Sequence, residues 1–329
     1  MFAVGLFLIW QFAGAIVLIF AACLVAIVLK SISGLVSRLL RLPHAISLPV
    51  SLIAIAGAFS GVVLLLGLRV QSDFSYLWQQ VPVYLNREFG NLGIDFSFED
   101  VFDEITGTGG WAGLLGGLAN YTVATVSLAT TTVLVIAGGI FLAARPDTYV
   151  EILVRLMPKD QEDRVRSVLT NLGNALENWL FGQFALMIGI GVTTTIGLMI
   201  IGLPSALGLG LLAGLLEFIP VAGPIAAAVP AILVALSVGY VDAMWTAALY
   251  LVIQQVESAV FVPLVQRRAV SLPPALGLFS IVVFGIWFGP LGIILSAPLA
   301  VCVHLLVVQL YSRDRLGWDV EIPGAKNPG

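Results

Sequence analysis

A long interval without basic residues is the feature that most limits how this chain can fold. Between Trp179 and Gln266 there is no lysine or arginine, and the only charged residues are Glu217, Asp242 and Glu257. Apolar runs of about 20 residues cross the roughly 30 Å hydrocarbon core of a bilayer as helices. The interval therefore predicts several membrane-embedded helices rather than a soluble domain.

The composition of the whole chain agrees with this prediction. Of the 329 residues, 59% are hydrophobic and 10% are charged, and the mean hydropathy is +1.05, whereas about 25% of the residues of a soluble domain are charged. A net charge of −4 is too small and dispersed for a nucleic-acid surface. Cys23 and Cys302 fall inside apolar runs, so we expect packing residues rather than a disulfide.

No pattern in the chain indicates an enzyme. The two histidines, His44 and His304, lack metal-ligand spacing, and an intramembrane Ser/His pair or Gly-x-Gly-Asp motif is also missing. We therefore expect no catalytic activity and no metal site.

The distribution of charge orients the N-terminal part, 1–68. The apolar run 2–29 is the first predicted span, and no small-residue cleavage site follows it, so we do not expect a removed signal peptide. A second span is predicted at 45–68. The segment 30–44 between them has no acid and carries three bases, which places it in the cytoplasm: Lys30, Arg38 and Arg41.

Segment 69–120 is acidic, and we expect it outside the cytoplasm. Its bases are Arg69 and Arg87, whereas its acids are Asp73, Glu88, Asp95, Glu99, Asp100, Asp103 and Glu104. Interleaved aromatic residues suggest packing at the membrane interface. A solvated, partly amphipathic loop and a binding platform both fit this pattern.

A third predicted span, 121–144, returns the chain to the cytoplasm. The segment 145–178 then combines bases and acids with apolar residues at helical spacing. It predicts two amphipathic helices separated at Met157 and Pro158, lying along the membrane or packing on a neighbouring subunit.

The remaining membrane region, 179–310, is predicted to be a transport core. Two spans each precede an apolar hairpin broken by proline and glycine, and a polar cytoplasmic tail follows at 311–329. The predicted elements are a span at 179–202, hairpin arms at 205–219 and 224–239, a span at 243–263, and a second hairpin at 274–310 that is interrupted near 288–292.

The first hairpin break, Leu215–Pro230, combines a carboxylate with helix-breaking residues. Proline removes a backbone donor, and a broken backbone persists in hydrocarbon only where protein or a water-filled cavity covers it. The arm 205–219 would be about 22 Å long as a helix, shorter than the bilayer core. Re-entrant arms and two full spans both remain open. The hairpins enter from opposite faces, as in an inverted repeat.

These breaks carry a family resemblance. The block Leu216–Pro224 (LEFIPVAGP) closely resembles the central motif of the autoinducer-2 exporter family of bacterial permeases. The resemblance covers 145–310 and, more loosely, 10–70. Its further matches are Gln255, Glu257, Pro263, Pro273, Pro274, Phe288–Gly292 and Ala297–Leu299.

The resemblance implies an all-α polytopic protein of the bacterial inner membrane, with about eight membrane segments and no cofactor. Members are associated with export of autoinducer-2, a small polar solute, and some with sodium (lithium)/proton antiport. The family also implies homo-oligomers, with the pentamer as one candidate. It usually begins with two closely paired helices, and here the single run 2–29 stands in their place.

We expect the solute or ion to bind between the two hairpin tips. The predicted transport and ion-binding residues are Glu217, Gln255 and Glu257. Alternatively, Glu217 caps the exposed amides of the break, and Glu257 pairs with Arg267 or Arg268. Residues predicted to shape the tips and hinges are Pro220, Gly223, Pro224, Pro263, Pro273, Gly289, Pro290, Gly292 and Pro298. An oligomeric channel and a membrane scaffold are the other functional classes.

Overall fold

The computed structural model describes residues 13–41, 43, 46–57, 60–61, 64, 121–263, 273–313 and 315–318. Within these ranges the regular elements are helical. In chain order they are α1 (Ala13–Leu40), α2 (Ile46–Gly57), α3 (Tyr121–Ala144), α4 (Pro146–Arg155), α5 (Glu162–Ile201), α6 (Ala206–Leu216), α7 (Ala222–Val238), α8 (Tyr240–Val256), α9 (Pro274–Ile294) and α10 (Ser296–Leu306). The acidic segment predicted at 69–120 lies outside the described residues.

The prediction of an all-α membrane protein is confirmed for the described residues. Four helical stretches are long and apolar enough to cross a bilayer by length and composition: Gly14–Leu39, Lys159–Ile201, Ala275–Ile294 and Ser296–Arg313. The third of them, within α9, is interrupted at Gly289, where the backbone leaves the helical conformation (φ 64°, ψ −148°). The bent pair Thr130–Ala144 and Pro146–Arg155 would make a fifth. The total of about eight membrane segments stays a prediction.

The longest element is α5, which runs for 40 residues from Glu162 to Ile201, or about 60 Å. The predicted amphipathic helix before 178 and the span from 179 are therefore one continuous helix. No proline interrupts the interval. The helix ends where Gly202 adopts a left-handed conformation (φ 87°) and the Leu203 N–H donates to the Leu198 carbonyl, the bond pattern that closes many helices.

Helix α5 is also the central packing element, because it contacts α1, α4, α6, α8 and α10. Its side chains form a core with residues of α1 and of the α9–α10 region; the α5 members are Ala175, Leu176, Trp179 and Leu180. Phe218 beside the first hairpin break and Phe288 beside the second both pack against this core. Both breaks therefore pack against the same hydrophobic core.

Glycines allow α5 and α6 to approach closely. Gly210 and Gly214 of α6 face Gly191 and Thr195 of α5, and a Cβ atom added at Gly214 would lie 2.6 Å from the Met187 carbonyl oxygen. Small residues at a spacing of four are typical of tightly packed membrane helices, because they let the backbones meet.

Because this contact has no room for a methyl group, Gly214→Ala should force the two helices apart and destabilise the protein by about 1–3 kcal/mol. The matched control is Gly173→Ala in α5, where an added Cβ meets nothing within 4 Å. Thermal unfolding of the detergent-solubilised protein should show a lower melting temperature for Gly214→Ala alone. Equal melting temperatures for the two variants would contradict the close contact.

Candidate functional site

The first hairpin break is a short, strained turn between α6 and α7. Val221 has φ 70° and ψ −52°, and the Ala222 N–H donates to the Pro220 carbonyl at 2.8 Å. These values describe a γ-turn of the rare positive-φ kind, which is unfavourable for a β-branched residue. Such strain, of order 1–3 kcal/mol, persists only where the surroundings hold it, and it concentrates at functional sites.

A glycine lets each hairpin close tightly after its break. A side chain at Gly223 would collide with the Leu216 carbonyl group, and one at Gly292 would collide with the Phe284 carbonyl group. In the second hairpin the positive φ falls on Gly289 (φ 64°, ψ −148°), directly before Pro290. Both breaks thus combine a positive-φ residue with a glycine that contacts the preceding arm.

A buried glutamine of α5 holds the first break in place. Gln183 is 4% exposed, and its Nε2 donates to the backbone carbonyl of Glu217 at 2.6 Å. One turn earlier, the Trp179 ring meets the Phe218 ring edge to face, with centroids 5.9 Å apart. Helix α5 therefore fixes both the backbone and one side chain of the break.

The Glu217 side chain is almost completely buried, at 1% exposure. Glu257, which is 9% exposed, lies in a π-helical turn, Glu257–Phe261, that follows α8. The two carboxyl groups lie within hydrogen-bonding range of each other. The Gln254 Nε2 donates to the Glu257 Oε2 at 3.2 Å. Single π turns inside α-helices are frequent at functional sites.

This arrangement is chemically incomplete without a positive charge. Two carboxylates accept hydrogen bonds but donate none, and two buried negative charges in contact repel each other. Among the described residues, no group donates to the Glu217 Oε2. A proton shared by the two carboxyl groups or a bound cation would remove both problems. The pair is therefore suited to proton or monovalent-cation exchange.

The structure brings two of the three predicted ion-binding residues together. Glu217 and Glu257 form the pair, whereas Gln255 is exposed and its neighbour Gln254 makes the contact with Glu257. The capping alternative for Glu217 stays a prediction, and among the described residues no backbone amide donates to its Oε2. The alternative partners of Glu257, Arg267 and Arg268, lie outside the described residues.

The predicted hinge residues take different positions in the helices. Pro220 precedes the strained Val221, and Pro273 immediately precedes α9. Pro224 and Pro298 lie within the first turn of α7 and α10, where proline costs no helical hydrogen bond. Pro263 is the last described residue before 264–272, which lie outside the described residues.

Gln183 is the site residue that the sequence reasoning missed. It is a side-chain amide in an otherwise apolar part of α5, and polar residues inside membrane helices are by default candidates for function. The sequence therefore contained a reason to single out Gln183. It could not show that the Gln183 side chain bonds a backbone carbonyl 34 residues away.

Comparison with known proteins gives the same assignment as the motifs. The AI-2E family transporter profile matches residues 1–312. The AI-2 transport protein TqsA of Escherichia coli K12 is 34% identical over 101 residues, which is 30% of this chain and 29% of TqsA. PerM of the same strain, a permease by name, is 26% identical over 187 residues, or 56% of this chain and 53% of PerM.

YrrI of Bacillus subtilis strain 168, a transport protein by name, is 26% identical over 154 residues, covering 47% of this chain and 44% of YrrI. The chain thus spans about half the length, or less, of the curated relatives it matches. The family profile, by contrast, extends over most of the chain, so this multi-pass membrane protein belongs to the AI-2E transporter family.

Proposed function

We propose that the chain is a permease that moves a small polar solute across the bacterial inner membrane and couples this movement to protons. The carboxyl pair of Glu217 and Glu257, buried beside the strained break, carries the proposal. Homo-oligomers, with the pentamer as one candidate, are part of the same proposal and rest on the family alone.

The burial of the pair favours a transporter over an open channel. At 1% and 9% exposure, the carboxyl groups are largely shielded from solvent, so we expect an ion to reach them only when the break moves. Alternating access to a central site requires such occlusion. The positive-φ turn at Val221 is the element that we expect to move, because relief of its strain favours a second conformation.

Two cargoes fit the site. Autoinducer-2 is suggested by the relative TqsA, an AI-2 transport protein, and a polar solute would suit the broken hairpin tips. The unpaired Oε2 of Glu217 favours a cation, so sodium (lithium)/proton antiport is the second candidate function.

Transport assays with purified protein in proteoliposomes distinguish these functions. Accumulation of autoinducer-2 against its gradient, driven by an imposed pH gradient, would support the permease. Sodium-dependent movement of protons without autoinducer-2 would support the antiporter. Fluxes that only follow the solute gradient would indicate a channel, and no flux over a panel of small solutes would leave a membrane scaffold.

Replacing one carboxyl group by an amide should separate folding from proton coupling. The amide of Glu217→Gln can still donate to Glu257 but cannot titrate, so transport should lose its pH dependence and fall roughly tenfold or more, a barrier change of about 1.4 kcal/mol. The control is Glu177→Gln in α5, whose carboxylate accepts a hydrogen bond from the Ser31 hydroxyl at 2.8 Å. An unchanged pH profile in Glu217→Gln would exclude the pair from coupling.

Removing the α5 anchor should affect the position of the break rather than its titration. Gln183→Met leaves the buried Glu217 carbonyl without its donor, which costs about 1–3 kcal/mol. We expect a lower melting temperature and slower transport, with the shape of the pH profile retained.

The control for this variant is Thr193→Val. Thr193 also lies in α5, but its hydroxyl bonds only the Gly189 carbonyl of its own helix, so little change is expected. A Gln183→Met protein as stable and active as the control would show that the hydrogen bond does not hold the break.

A further inference from the structure

Helix α4 leaves the membrane helix α3 at a right angle. The stretches Thr130–Ala144 and Pro146–Arg155 meet at 86°, with only Arg145 between them. Pro146 is the first residue of α4, a position where its fixed φ favours the start of a new helix. A helix perpendicular to a membrane-crossing neighbour runs along the membrane plane rather than through it.

One face of α4 and of the turn after it exposes a continuous apolar stripe. The side chains follow the spacing i, i+3, i+4, i+7, i+8 of one helical face and are 39–71% exposed: Tyr149, Ile152, Leu153, Leu156 and Met157. Single exposed apolar residues are common, whereas a continuous stripe indicates an interaction surface.

Contacts with α5 fix the direction in which the stripe points. Val154 is buried at 1% exposure where α4 packs on α5. Glu151 accepts from the Arg166 Nη2 of α5 at 2.6 Å and from the Arg155 Nε at 3.0 Å. These bonds, above all that from Arg166, hold the pKa of Glu151 below its usual value. Their stabilisation is therefore present at neutral pH and is lost as the pH falls through the lowered pKa.

Exposed cations flank the stripe at both ends. Arg145 precedes α4 and Lys159 follows it, while Asp147 falls on the opposite side of the helix by its spacing from Leu153 and Leu156. Tyr149 supplies an apolar ring with a polar tip, which is typical of the headgroup level. Two copies meeting through this face would oppose like charges, whereas phosphate groups would be attracted.

We propose that α4 is an interfacial helix that inserts its stripe among the acyl chains and binds anionic phospholipid headgroups through Arg145 and Lys159. Interfacial helices of this kind combine buried apolar area with electrostatic attraction to anionic lipid. The proposal does not depend on what the protein transports, and its test has no transport readout.

The depth of α4 can be measured with a polarity-sensitive fluorophore on single cysteines of the full chain. In a Cys23→Ser, Cys302→Ala background, Ile152→Cys and Leu156→Cys report on the stripe and Asp147→Cys reports on the opposite side. In nanodiscs, brominated acyl chains should quench the two stripe labels and aqueous iodide should quench the Asp147→Cys label. Quenching of the stripe labels by iodide would overturn the proposal, because it would show that the stripe faces water. Shielding of these labels from both quenchers would also overturn it, because it would show that the stripe packs against another subunit.

Lipid selectivity is tested by placing bromine on phosphatidylglycerol or on phosphatidylcholine in otherwise identical mixed nanodiscs. Brominated phosphatidylglycerol should quench the Leu156→Cys label at least about twofold more strongly than brominated phosphatidylcholine does. The reason is that each base near the surface attracts anionic lipid. Adding Arg145→Gln and Lys159→Gln should make quenching by the two lipids equal, whereas Arg313→Gln, at the end of the π-helical turn Val307–Arg313, should not. Equal quenching in the unsubstituted chain would refute the binding of anionic headgroups.

Discussion

The constraint on which the rest of the structure depends is that backbone groups freed in the middle of a membrane protein have to find partners within the protein. At the break between α6 and α7 three bonds meet this requirement. The γ-turn joins Ala222 to Pro220, the Gly223 N–H donates to the Ile219 carbonyl, and Gln183 reaches across from α5 to the Glu217 carbonyl. The last of these bonds couples the break to α5, the helix that contacts most of the others. The position of Glu217 is therefore set by α5 as much as by its own hairpin.

The two hairpins have similar backbone geometry at their breaks but differ in the buried acids beside them. Each has a residue with positive φ, at Val221 and Gly289, and each has a glycine pressed against the preceding arm. Phe218 and Phe288 beside the breaks pack against one core. Among the described residues, the buried acids lie at the first break and on the π turn after α8. The proposed ion chemistry therefore belongs to the first hairpin, and we expect a steric role for the second.

Helix α5 also connects this interior site to α4, on the side that the charge pattern predicts to be cytoplasmic. Its N-terminal part holds α4 through Arg166 and Glu151, and its middle holds the break through Gln183. The proposed interfacial helix and the buried carboxyl pair therefore contact one helix of about 60 Å. An interfacial α4 would fix the depth of α5 in the bilayer, and with it the depth at which the carboxyl pair lies.

The class of the fold and the location of the breaks follow from the amino-acid sequence. Long apolar runs without basic residues allow only membrane helices, and Pro220, Gly223 and Gly289 interrupt such helices for local steric reasons. The isolated acids Glu217 and Glu257 were identifiable because charge in an apolar interval is costly. Only the tertiary structure decided that these acids, on different helices, touch each other, that Gln254 rather than Gln255 meets Glu257, and that Gln183 anchors the break. Helical spacing predicts which residues share a face of one helix, whereas contacts between helices depend on packing angles and close glycine contacts that no local pattern encodes.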